Sequence, residues 1–134
     1  MFVRAFVGQT CEVARQEHRW AFSFGTDAGL GVETPWRIVT GSGIAFADTD
    51  DHQKFGLPQP VDGQARSNEL LGGRRVISFD VDIKTADIQI RFEGDLLLEV
   101  FNNSSGYEGW NAAVQVDGQT ISVVGLGGGD LAIY

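Results

Sequence analysis

Residues 88–101 read IQIRFEGDLLLEVF, and this stretch decides the fold. Ile88, Ile90 and Phe92 alternate with Gln89 and Arg91, which gives an extended segment one apolar and one polar face. Glu93-Gly94-Asp95 supplies a turn, and Leu96 to Phe101 returns as a second strand. The unit is an antiparallel hairpin, and the same pattern recurs on both sides of it. Upstream, Ile77, Phe79, Val81 and Ile83 share one face of a strand over 75–83, with Ser78, Asp80 and Asp82 opposite. Downstream, 110–116 and 120–124 flank a second hairpin turn at Asp117-Gly118, and 131–134 closes as a short strand.

The N-terminal half follows the same rhythm. Trp20, Phe22 and Phe24 alternate within 19–24, Leu30 to Val32 follows a Gly/Thr/Asp turn, and Pro35 opens a strand over 36–39. Proline is tolerated at a strand start because its missing N–H is not needed there. A short strand over 44–46 lies in an otherwise irregular connection. One short helix is predicted over 66–71, capped by Ser67 and stopped by Gly72-Gly73. No longer helical period and no βαβ rhythm appear. The expected fold is therefore mainly β: one domain over 1–134, with about eight to ten short antiparallel strands in a sandwich or a partly open barrel.

Placing Phe24 over Phe92 also lays Trp20 and Phe22 over Ile88 and Ile90, Val13 over Val81 and Cys11 over Phe79. This suggests two half-repeats, 7–40 and 72–126, joined by a long loop over 41–66.

Composition limits the function. The 134 residues carry a formal charge of −8. So acidic a chain is a poor match for nucleic acid, whose phosphates are held by cations. No apolar run is long enough to span a bilayer. Arg4 interrupts the first apolar residues, so no secretory signal is expected and the expected setting is cytoplasmic. The single cysteine, Cys11, excludes an internal disulfide and reads as a buried strand residue.

Three clusters could carry chemistry. Asp48, Asp50, Asp51 and His52 are the densest polar group. Carboxylates so spaced could hold a divalent cation, but an EF-hand's central glycine and closing glutamate are missing, and a solvated acidic loop is the plainer reading. No other cofactor is implied. Gly125 to Asp130 lacks the helix and the Lys-Ser/Thr of a phosphate loop, so it reads as a tight β connection. The segment Asn102-Asn103-Ser104-Ser105-Gly106-Tyr107-Glu108-Gly109-Trp110 is the most distinctive. Asn103, Tyr107, Glu108 and Trp110 are the binding candidates, because amphipathic aromatics concentrate at hot spots. The competing role for the aromatics is to close the end of the core. No nucleophile, base and orienting group are grouped in sequence; Glu33 and Glu99, at similar places in the half-repeats, are the only carboxylate pair to consider.

The second half resembles a group of small bacterial proteins of uncharacterised function. The residues that carry this are Leu71-Gly72, Val76, Ile88 to Leu96, Tyr107-Glu108-Gly109-Trp110 and Gly127 to Ile133. Some similar proteins look like immunity partners of bacterial toxins. The expected role is a non-enzymatic protein-binding module, an immunity-type partner that masks a basic surface; the acidic excess within 68–134 motivates it, because such a face steers association with a basic partner. The alternatives are a small-ligand protein or enzyme using a barrel mouth, and a homo-dimer or other homo-oligomer formed by exposed strands.

Overall fold

Most of the alternating apolar residues point into one space between two antiparallel sheets. The computed structural model describes residues 2–134. Its strands are β1 (Cys11–Arg15), β2 (Trp20–Phe24), β3 (Ala28–Val32), β4 (Trp36–Thr40), β5 (Gly43–Ala47), β6 (Val76–Val81), β7 (Ile88–Phe92), β8 (Leu96–Val100), β9 (Trp110–Val116), β10 (Gln119–Gly125) and β11 (Leu131–Ile133). One helix, α1 (Gly63–Leu71), and two 3-10 turns, Phe2–Ala5 and Asp48–Asp50, complete it. The sheets have the orders β1-β2-β3-β9-β10-β11 and β5-β4-β8-β7-β6. This is a β-sandwich and not a closed barrel. There is accordingly no barrel mouth, and the interior is filled by side chains such as Phe22, Phe92 and Trp110, each no more than 2% exposed.

The two halves trace the same path. Each lays three strands in one sheet, then crosses to the other sheet and adds a hairpin there. Trp36 opens β4 opposite Val100, and Trp110 opens β9 opposite Val32. Thr10 and Arg75, the residues just before β1 and β6, bridge each other. The gapless alignment fails at the first strand: Val13 pairs with Phe22 as Phe79, not Val81, pairs with Ile90. The β6–β7 turn is longer than the β1–β2 turn by two residues, which moves the register.

The strands of the two sheets cross. Along β2, Trp20 meets Trp36 and Phe46, Phe22 meets Trp36, and Phe24 stacks on Phe92 at 6.5 Å. Thus β2 passes over β5, β4 and β7 in turn. Helical segments pack against the sandwich at two places. The N-terminal turn packs on β6 and β9, with Phe6 buried between Phe24 and Phe79. Helix α1 packs on β1 and β5.

The helix differs from the sequence expectation. It starts at Gly63, and Asp62 is its cap, accepting the Ala65 N–H at 3.2 Å. Such a cap contributes about 1 kcal/mol. Ser67 lies inside the helix and is fully buried. Gly63 starts it because a Cβ there would strike the Phe46 ring, the Asp51 carboxylate and Trp20. Strand β6 also departs from strict alternation. A bulge between Val76 and Ser78 leaves Ile77 58% exposed, and Ile83 lies beyond the strand, fully exposed.

Candidate binding groove at the crossover end

Both sheet-to-sheet crossings lie at one end of the sandwich, and they are bonded to each other. The first is Glu33 to Pro35, between β3 and β4; the second is Phe101 to Gly109, between β8 and β9. Glu33 N–H donates to Gly109 O at 2.9 Å, and Phe101 N–H to Pro35 O at 2.9 Å. The Thr34 hydroxyl donates to Phe101 O and accepts from Asn103 N–H. Asn102 anchors the longer crossing. Its side-chain amide donates to Thr85 O and Leu126 O, and its N–H donates to Asp87 Oδ1 at 2.8 Å. Gly109 must lack a Cβ, which would collide with the side-chain amide oxygen of Asn102 and with Thr34.

On this base sits a groove of about 290 Å³ lined by Glu33, Thr34, Pro35, Asn103, Ser104, Tyr107, Glu108 and Gly109. Ser104 Oγ accepts the Gly106 and Tyr107 N–H groups at 3.1 and 2.9 Å, which fixes the turn that presents Tyr107. Tyr107 is 83% exposed. The only charged groups in the lining are the carboxylates of Glu33 and Glu108. Of the cations in the adjoining grooves, Arg15 is paired with Asp51 and Arg19 is bonded to Gln16 and Asn111, while Lys84, in a groove that shares Asn103 and Ser104 with this one, makes no ion pair among the described residues. Asn103, Tyr107 and Glu108 are thus brought together.

Trp110 is not part of this groove. It is 2% exposed and its indole N–H donates to Ala86 O at 2.7 Å, so it closes the core beneath the loop. Glu99 is also elsewhere: it pairs with Arg37 at 2.9 Å across β4 and β8, and it does not face Glu33 in any groove.

No protein family, no curated protein and no solved structure matches this chain. Its groove is therefore read from its own residues.

The acidic segment is spent on local structure. Asp48 Oδ1 faces the Trp36 N–H, and Asp50 accepts the Ala47 N–H at 2.9 Å. Asp51 accepts the Gly63 N–H at 2.8 Å and pairs with Arg15 at 2.5 Å. His52 is exposed and lies 3.5 Å from Asp51. Among the described residues, no group of three or more His, Cys, Asp or Glu is arranged to hold a metal ion. Burial raises the Asp48 carboxyl above the usual carboxylate range, with the Asp50 charge adding to it. Burial, and then the Glu12 charge, push the Cys11 thiol up to about 12, so it is a packed thiol and not a nucleophile. The Gly-rich link after β10 packs its backbone against Gly106 and Lys84, close enough at Gly127 and Gly129 to exclude a Cβ.

Thr34 and Asn102, which hold the two crossings together, are not announced by any motif. The one available signal was an asparagine directly after an apolar strand, where its amide can bond loop carbonyls.

Proposed function

We propose that this protein is a non-enzymatic binding module that holds a basic segment of a protein partner at its crossover end. The observation that carries the reading is the groove itself, with two carboxylates, an exposed tyrosine and no cation in its lining. A lysine or arginine side chain fits this chemistry: carboxylates neutralise it, and the tyrosine ring offers a face to its cation. The charge of −8 steers a basic partner toward the molecule. The groove is preformed, because both crossings are bonded to each other and Tyr107 stands on a fixed turn. Masking of a basic toxin surface by an immunity-type partner is the biological form that suits these features. A catalytic reading has less behind it: Ser104 is committed to loop amides, and the two histidines do not line this groove.

The test is an NMR titration of the labelled protein with a short Lys/Arg peptide and with a Glu peptide of equal length. Amide shifts confined to 33–35 and 103–109, seen with the basic peptide only and lost in Glu33→Gln/Glu108→Gln, are expected. Equal response to both peptides, or shifts centred elsewhere, overturns the proposal.

A further inference from the structure

The outer face of the five-stranded sheet is divided by chemistry. One cross-strand row reads Ala47, Arg37, Glu99, Gln89, Asp80, and its central charges are already paired. The next row reads Ile44, Val39, Leu97, Arg91, Ser78. Ile44 is 61% exposed, and Ile77, pushed outward by the bulge beside Ser78, is 58% exposed. Val39, Leu97 and Ile77 line a shallow groove of about 350 Å³ together with Arg91 and Asp95. The outer face of an antiparallel sheet usually faces water and is polar. Over the other sheet of this molecule the outward positions of the central strands are small or polar (Ala21, Ser23, Gly29, Gly31, Asn111 and Ala113), and Val124 on β10 stands alone as a larger apolar residue beside Asn111.

The two charges bordering the apolar row identify its occupant. Among the described residues neither Arg91 nor Asp95 makes an ion pair. Arg91 lies directly across from Leu97 on β7, while Asp95 precedes it by two residues at the β7–β8 turn. An apolar centre flanked by one cation and one anion is complementary to itself after a two-fold rotation, as a shared patch in a symmetric dimer must be. We infer that this face is a dimer interface with a second copy of the chain, Leu97 on Leu97 at its centre and Arg91 of each copy on Asp95 of the other. Five strands of five or six residues give a face of roughly 24 by 17 Å. That is about half the roughly 800 Å² per partner of a standard interface, the size of weak and transient pairs, so a weak, reversible dimer is expected.

Sedimentation velocity on the full chain, over roughly 5–500 μM, tests this. A reversible dimer is expected. Leu97→Asp should leave a monomer throughout, and Arg91→Asp should weaken dimerisation about tenfold or more. The double variant Arg91→Asp/Asp95→Arg should restore it, because the pair is re-formed with reversed sign. Near-UV circular dichroism establishes that each variant keeps its fold. A monomer over the whole range overturns the inference. So does a dimer indifferent to Leu97→Asp, which would form through another surface, or a double variant no better than Arg91→Asp. The groove at the crossover end plays no part in this experiment, so the two proposals stand or fall separately.

Discussion

Asn68 meets Val13 as a neighbouring strand would. Its Oδ1 accepts the Val13 N–H at 2.8 Å, and its Nδ2 donates to the Val13 C=O at 2.8 Å. Gln64, one turn earlier, accepts the Arg15 N–H at 2.9 Å. Two amides from α1 therefore satisfy the open side of β1, an edge that would otherwise invite pairing with another chain. Asn68→Leu should cost about 1–3 kcal/mol, because it leaves a donor and an acceptor of Val13 unpaired. Urea unfolding measures the loss, and light scattering should show species larger than the dimer expected of the parent protein.

The two corner tryptophans should respond unequally to phenylalanine. Trp110 donates to Ala86 O, whereas the buried indole N–H of Trp36 has no partner among the described residues. Both variants lose packing, but only Trp110→Phe orphans a carbonyl. It should be the more destabilised by about 1–3 kcal/mol in chemical unfolding.

Asp48 predicts a pH dependence. Burial raises its folded pKa above the unfolded value, so ionisation favours the unfolded chain. The cost is absent below the unfolded pKa and grows as pH rises to and through the raised folded one. Asp48→Asn keeps an acceptor for the Trp36 N–H without that charge. The variant should therefore melt higher than the parent at neutral pH, with the difference shrinking at about pH 3.

Tyr107 should matter to binding and not to folding. At 83% exposure, its replacement by alanine should shift unfolding by no more than about 0.5 kcal/mol. The same variant should weaken the response to the basic peptide.

Cys11 should be slow to alkylate. It is 5% exposed, and its thiol is pushed up to about 12. Iodoacetamide should label it at the rate at which β1 opens, and urea should accelerate labelling sharply.

Much of this architecture is legible in the sequence because alternation reports which face of a strand meets a core. The Asp117-Gly118 and Gly94-Asp95 turns also declare themselves, and both adopt the positive φ values that such hairpins need. Where local chemistry competes with packing, the sequence misleads. Ser67 has a cap's chemistry, but Asp62 holds that place and Ser67 packs in the core. Trp110 follows closely on the exposed Tyr107 and Glu108, yet its partner is Ala86, distant in sequence. The groove itself depends on Glu33 and Thr34 reaching the later crossing, and no local pattern announces such a meeting.

The exchange of hairpins between sheets sets the order of events during synthesis. Strand β3 gains its second neighbour only when β9 is made, and β4 only when β8 is made. Neither half can complete a sheet by itself. A ribosome must therefore release most of the chain before the core can close, and the nascent N-terminal half waits with its aromatic residues uncovered.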